Sequence, residues 1–434
     1  MTLRSTTTWS PWRAVVGFGV VSLAADMVYE GARSITGPLL ASLGATAVVV
    51  GLVTGAGEAA ALVLRLVFGP LADRSGRYWT LTLAGYGLTA VCVPLLAVTP
   101  FIGAAGLTVA CVLLLAERTG KAVRSPSKSA LLAHAAGAVG SGRGFAVHKA
   151  LDQVGAFSGP LVVAALVATT GAIWPAMAVL AVPGAAAIVL LVWLRRRTSG
   201  MESIEGTEVA VDPAAEPASV RPGETLPDSA GRARRAVHAA VGAELPRDFF
   251  WFAASAGAAT AGLVTFGVIS FHLTTAGLLP VAAVPVVYAG GMAVAAVAAL
   301  VSGFAYDRWG GRVLYALPLL VAVVPALAFS RTVALAVTGV LLWGAAVGVQ
   351  DSTVKALVAD LVPSGRRATA YGVFAAVQGS AALLGGGAAG YLYSQSIPLL
   401  VAVVGATQLA AMILLVLTLR RPSADRSAAA PGST

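Results

Sequence analysis

Cysteine is almost missing from this chain: Cys92 and Cys111 are the two in 434 residues, and both sit inside apolar runs. That excludes a disulfide framework and reads as two small buried side chains. Histidine is nearly as scarce, with four copies spread along the sequence, and no HExxH or GxSxG pattern occurs. Zinc hydrolase and serine hydrolase chemistry therefore lack their parts, and neither a metal nor a cofactor is expected. Tyr306-Asp307 supplies half of an intramembrane aspartyl protease pattern, but its Gly-x-Gly-Asp partner does not occur. Charge is the third shortage. Asp, Glu, Lys and Arg make up 11% of the chain, against roughly a quarter in a soluble globular protein.

What fills the space is apolar: 58% of residues, mostly Ala, Val and Leu, with 49 glycines. Small residues let helix backbones approach closely in lipid, where no hydrophobic force drives them together. The net charge of +10 would suit a nucleic-acid partner, but the cations sit in short loops between apolar runs. That distribution sets membrane topology and does not make a phosphate-binding patch. The opening "MTLRSTTTWSPWRAVVGFGVVSLAADMVYE" has arginines ahead of an apolar stretch, as a secretory signal does. The stretch runs into Asp26 and Glu30 with no small-residue cleavage site, so it is expected to stay as the first helix.

Crossing ~30 Å of hydrocarbon takes about 20 helical residues. Twelve runs qualify, near 14–41, 46–70, 78–98, 101–123, 142–168, 172–194, 248–274, 278–304, 312–329, 332–357, 368–394 and 397–419. Even-numbered helices are followed by Arg74 and Arg77, Arg124 and Lys128, Arg195 to Arg197, Arg308 and Arg312, Arg366 and Arg367, and Arg420 and Arg421. The opposite loops hold almost no cation beyond Arg331. The positive-inside bias then puts both termini and the long central loop in the cytoplasm. Residues 195–247 form one long polar insertion. Its middle lacks apolar periodicity and reads as flexible, and its end, "RARRAVHAAVGAELPRD", as a short surface helix. The expected domains are residues 1–194, a linker 195–247, and residues 248–434.

The halves repeat. "GPLADRSGR" (69–77) returns as "GFAYDRWGGR" (303–312), so Gly69, Asp73, Arg74 and Gly76 recur as Gly303, Asp307, Arg308 and Gly310. "SALLAH" (129–134) returns as "KALVAD" (355–360). Two copies of one six-helix plan are the mark of transporters built from structural repeats.

With these motifs the chain resembles the major facilitator superfamily over nearly its whole length outside the linker. The most specific likeness is Gly69, Asp73, Arg74, Gly76 and Arg77 between helices two and three; the family usually adds a basic residue where this chain has Tyr78. The resemblance implies an all-α membrane protein of a bacterial inner membrane, with two six-helix bundles related by a pseudo-two-fold axis, working as a monomer by alternating access. It implies a gating role for Gly69, Asp73, Arg74, Gly76 and Arg77, facing helix eleven, and for the echo Asp307 and Arg308. Physically, Asp73 lies at a helix end where it can meet the positive end of another helix or an arginine. "AERTGKAVRSP" puts Arg118 near the family's membrane arginine, with the following glycine, Gly120, one place off. "GAFSGP" (Gly155, Gly159-Pro160) is similar to the motif of efflux members, with Val163-Ala164 where those have a glycine pair.

Ionisable groups in the membrane cost at least ~2.5–3.5 kcal/mol each at a helix centre and need a reason. Asp26, Glu30 and Arg33, spaced i, i+4, i+7, share one face of helix one, and Glu58 sits at a comparable depth in helix two. The offset of 234 residues between Asp73 and Asp307 carries Asp26, Glu30, Arg33 and Glu58 onto Thr260, Val264, Gly267 and Met292. The second bundle is built without those charges, so the architecture does not demand them. Burial penalises a charged carboxylate and a nearby arginine relieves it, so such a cluster can bind and release a proton. Asp26, Glu30 and Glu58, with Arg33 and Arg118, are the expected proton-coupling residues. Tyr29, Glu30, Asp152, Gln153, Tyr288, Gln350, Asp351 and Gln378 are the expected substrate contacts, while Trp343 can line the same cavity. His134 and His148 read as loop or interface residues, His272 as interfacial. The expected partners are protons, a small-molecule substrate and the lipid bilayer. The two acids on helix one and the partial Gly-Pro motif favour proton-driven export; the basic residues near the cavity equally admit proton-coupled uptake of a polar or anionic solute.

Overall fold

The computed structural model describes residues 10–137, 139–198, 245–363 and 366–420. The signal-like opening (1–9), most of the linker with its expected surface helix (199–244) and the tail from 421 lie outside the described residues. Among those described the chain is helical, with no strand. In order the helices are α1 Pro11–Ser42, α2 Ala47–Ser75, α3 Tyr78–Leu95, α4 Gly106–Gly137, α5 Ser141–Thr170, α6 Trp174–Arg197, α7 Arg247–Thr275, α8 Val284–Trp309, α9 Ala316–Ala328, α10 Val333–Leu361, α11 Arg367–Gln395 and α12 Ile397–Arg420. By length and composition they make eleven spans, because α8 and α9 are joined through the 3-10 segment Gly310–Tyr315 into one helical stretch.

Local chemistry sets several ends. Ser10 precedes α1 with Pro11 at its first position, where the missing N–H costs nothing. Thr46 caps α2, its hydroxyl accepting from the Val49 amide at 3.4 Å. α2 stops at Gly76 with φ +65°, a left-handed cap that a side chain would strain. The echo glycine, Gly310, has φ +61° at the end of α8. Both motif glycines therefore end a helix at positive φ, but with different ψ: −5° at Gly76 and −150° at Gly310.

The packing follows the sequence repeat. α1 packs on α5 and α6, α2 on α4, and α3 on α4 and α6; α7 packs on α11 and α12, α8 on α10, and α9 on α10 and α12. Each pairing recurs six helices later. Across the halves α1 meets α7 and α8, α2 meets α7 and α11, and α5 meets α8. Glycine makes the α2–α11 crossing close: a Cβ on Gly55 would lie 2.6 Å from the Ala382 carbonyl oxygen, and one on Gly386 2.9 Å from the Gly55 Cα. Gly51 and Gly55 face Gly386 and Gly390, a small-residue stripe on each helix.

Two features depart from the sequence reading. α4 runs to Gly137, not to residue 123, so Arg124 is not a loop cation: it is buried and donates to the Thr89 hydroxyl at 2.6 Å. A predominantly polar second half hid this extension. α7 is broken at residues 263–265, between the helical segments Arg247–Gly262 and Phe266–Thr275. The break frees the Val264 carbonyl, and the Trp343 indole N–H answers it at 3.0 Å. A broken helix is tolerated at membrane depth where protein groups satisfy the backbone in this way.

Candidate functional site

The charges of α1 diverge instead of forming one cluster. The i, i+4, i+7 spacing aims them into the bundle, but each meets a different neighbour. Arg33 reaches across to α2, 2.8 Å from the Glu58 carboxylate. Arg118, from α4, approaches the same oxygen at 3.5 Å and Glu117 at 3.5 Å. Tyr29 sits among the cations: its hydroxyl accepts from Arg33 at 3.0 Å and from Arg118. Lys121 places its ammonium 3.9 Å from the centre of the Tyr29 ring, a cation–π distance. Three residues of the first bundle, Arg33, Arg118 and Lys121, thus hold Glu58 and Tyr29 in a cationic surround. Gly57 allows this, because a Cβ there would lie 2.8 Å from the Arg118 side chain.

Glu30 turns the other way. It is buried and accepts a hydrogen bond from the Tyr288 hydroxyl on α8, so it ties the two halves. Tyr288 is fixed by Phe266 at 4.5 Å and Trp343 at 6.0 Å between ring centres. A second link across the halves joins the Thr54 and Thr265 hydroxyls at 2.8 Å.

Between these links lies a small cavity of about 30 Å³, lined by Arg33, Thr36, Thr54, Glu58, Arg118 and the start of the second segment of α7 at Thr265 to Gly267. That is room for one or two water molecules. Two guanidinium groups and the positive end of a ten-residue helical segment face it, an arrangement suited to negative charge.

Asp26 belongs to a separate group. Its carboxyl faces that of Asp152 on α5, and Asp152 is held by the Lys149 ammonium at 2.7 Å. The glycines of "GAFSGP" explain the meeting: Gly155 faces the backbone of α1 at Leu23 and Gly159 at Met27, so α5 lies directly on α1. One turn lower, Ser22 bonds the His148 ring at 2.9 Å, accepts from Lys128 at 3.0 Å and lies 3.3 Å from the Tyr86 hydroxyl. Sequence reasoning set His148 aside, counted Lys121 among the cations near the cavity without a site role, read Lys128 as a loop cation, and missed Ser22; Lys128 lies within α4. The signal was there for His148, which stands four residues before Asp152 on the face that carries Gly155.

In the second bundle the equivalent ground is neutral. Thr260, the offset partner of Asp26, accepts from Gln350 at 3.2 Å and Gln378 at 3.4 Å. Gln350 and Gln378 therefore come together, while Gln153 is half-buried and Asp351 is exposed. The gating residues lie apart from all of these. Asp73 is exposed, and the hydrogen bond it receives comes from Tyr78 at 3.1 Å, not from α11. Tyr78 occupies the place where the family motif has a basic residue. Arg74, Arg77, Asp307 and Arg308 are exposed as well, and Gly69 has open space around its Cα. Among the described residues no group of three or more His, Cys, Asp or Glu is placed to hold a metal.

Comparison with known proteins agrees with this architecture. The family model described as Major Facilitator Superfamily matches residues 18–312 and 273–434. Uncharacterized protein Rv2265 of Mycobacterium tuberculosis (strain ATCC 25618 / H37Rv) and Uncharacterized protein Mb2288 of Mycobacterium bovis are each 53% identical over 407 residues, 94% of this chain and 93% of theirs. Among solved structures, the nucleoside transporter NupG matches with a TM-score of 0.63 at 14% identity, over 94% of this chain and 100% of that one. A bacterial homolog of the human lysosomal transporter Spinster, inward-facing and occupied, matches at 0.61 and 14%, over 94% and 95%. A POT family transporter in complex with 5-aminolevulinic acid matches at 0.65 and 13%, over 94% and 95%. At such identities the structures share the fold alone. The matched family, the repeated six-helix packing and the paired loop motifs agree: this chain belongs to the Major Facilitator Superfamily of membrane transporters.

Proposed function

We propose that the protein is a proton-coupled secondary transporter of a small organic anion, moving proton and anion together by alternating access between residues 1–194 and 248–434. The observation that carries this reading is the double hold of Arg33 and Arg118 on Glu58. A proton on Glu58 removes the charge that occupies both guanidinium groups. Opposite charges ~4 Å apart at an effective dielectric near 20 attract by about 4 kcal/mol, so the release is large. The freed arginines, with Lys121 beside them, then take an anionic group of the substrate. Linkage is reciprocal: an anion on the arginines favours protonation of Glu58 by the same free energy. Positive linkage between proton and anion is symport. The positive-inside bias supports an inner-membrane protein with both termini cytoplasmic, so the proton gradient would drive uptake.

Export in exchange for protons, which the sequence favours, has one observation of its own. The facing carboxyls of Asp26 and Asp152 would release a proton as a cationic guest binds between them. Lys149 and Lys128 near that pair weigh against a cationic guest.

Thermal-shift titration of the purified protein with sulfonates, phosphates, carboxylates and organic amines at several pH values tests the choice. Symport requires an anion whose stabilising effect grows as pH falls through the range in which Glu58 takes its proton. An amine that stabilises more as pH rises, with no anion effect, would overturn the anion reading in favour of exchange.

A further inference from the structure

A groove runs between the start of α1 and the end of α6, with none of its lining residues shared with the Glu58 cavity. Trp12, Arg13, Val16, Gly17 and Val20 line one wall, and Leu190, Trp193, Leu194 and Arg197 the other, around about 650 Å³. The spacings are helical: one stripe descends from Arg13 through Val16 to Val20, the other ascends from Leu190 through Leu194 to Arg197. The helices run in opposite directions, so both arginines stand at one end of the groove and aliphatic side chains fill the rest. Gly17 keeps the floor open, since a Cβ there would press on Leu194 at 3.0 Å. Trp12 and Trp193 are 41% and 45% exposed, and the Arg197 guanidinium lies 5.9 Å from the Trp193 ring centre. Among the described residues neither Arg13 nor Arg197 has an acidic partner.

We infer that this groove binds an anionic phospholipid, with its phosphate between Arg13 and Arg197 and an acyl chain along Val16, Val20, Leu190 and Leu194. Three features select that occupant. The two cations require a negative head. The aliphatic length below them requires a long apolar tail. Tryptophan at the rim marks the headgroup level of a bilayer, where its ring is apolar and its N–H wet. Basic pockets between membrane helices on the cytoplasmic side take anionic headgroups for the same reason. The acidic stretch of the linker, residues 202–228, carries the charge but no apolar run to fill the groove. Because the groove joins α1 to α6, a bound lipid would brace the helix that carries Tyr29, Glu30 and Arg33.

Native mass spectrometry of the full-length protein with phosphatidylglycerol and phosphatidylcholine tests the site. The wild type should retain at least tenfold more phosphatidylglycerol than phosphatidylcholine. Arg13→Gln/Arg197→Gln should lose that preference, while Arg195→Gln/Arg196→Gln, which removes equal charge beside the groove, should keep it. Val16→Trp fills the groove with both arginines intact and should also abolish retention, which guards against a double variant that folds poorly. Inorganic phosphate should not displace the lipid. Unchanged retention in the groove variants, or equal loss in the control variant, would overturn the proposal.

Discussion

Arg33 on α1 and Glu58 on α2 stand 2.8 Å apart, and Arg118 on α4 closes on the same carboxylate from 3.5 Å. Three helices of one bundle meet at a single negative charge, which the second bundle replaces with Met292. A carboxylate shared by two guanidinium groups holds them only while it is ionised, and that is the physical basis of the coupling proposed above.

Glu58→Gln imitates the protonated acid. The variant should bind an anionic substrate with an affinity that no longer changes with pH, at least as tightly as wild type at neutral pH. Accumulation driven by a pH gradient should fall more than tenfold, whereas exchange of labelled for unlabelled substrate should continue. Loss of both activities in a well-folded variant would make Glu58 a structural ion pair.

The carboxyls of Asp26 and Asp152 face one another, and two acids at such close quarters are expected to share one proton. Infrared spectra of the protein in a lipid film should show a protonated-carboxyl stretch at neutral pH that disappears in both Asp26→Asn and Asp152→Asn. A band unaffected by either substitution would remove the shared proton. His148, which stands one turn away through Ser22, should not alter the band when changed to Gln.

Gly51→Leu places a large side chain where α2 meets Gly386 of α11. Overpacking of this kind costs typically 1–3 kcal/mol. The melting temperature should drop and cysteines introduced near Thr54 and Thr265 should become more reactive, because the halves can no longer close there. Unaltered reactivity would show that the crossing is not a closing contact.

Asp73→Asn should lower transport and raise labelling of cysteines lining the motif side of the cavity, with folding largely intact. Tyr78→Phe serves as the comparison. It removes an exposed hydrogen bond to Asp73 at 3.1 Å, and exposed changes of this sort stay within about 0.5 kcal/mol. Transport that is equal in all three proteins would deny the motif a gating role.

Much of the fold was legible in the sequence because lipid leaves few choices. A backbone in hydrocarbon must satisfy itself, so each apolar run of sufficient length is a helix. The paired motifs "GPLADRSGR" and "GFAYDRWGGR" announced the repeat, and Gly76 and Gly310 each end their helix at positive φ. The break in α7 was not legible, since Gly262 to Thr265 look like any small-residue helix until Trp343 is seen on the Val264 carbonyl. The site was half legible. Residue type and depth marked Asp26, Glu30, Arg33, Glu58 and Arg118, but a one-helix period cannot tell which neighbour each will meet. Glu30 found Tyr288 and Asp26 found Asp152 because of how α1 crosses α8 and α5. Crossings are set by glycines such as Gly155 and Gly159, which lie on α5, four helices on from α1.

The most direct test of the coupling is internal pH. Purified protein is reconstituted into liposomes loaded with a pH-sensitive dye, and membrane-impermeant sulfonates and phosphates are added outside at neutral pH. For at least one of these anions the account predicts acidification of the interior, absent from protein-free liposomes and from liposomes containing the Glu58→Gln variant. Anion uptake without any proton movement, or acidification that Glu58→Gln leaves unchanged, would contradict it.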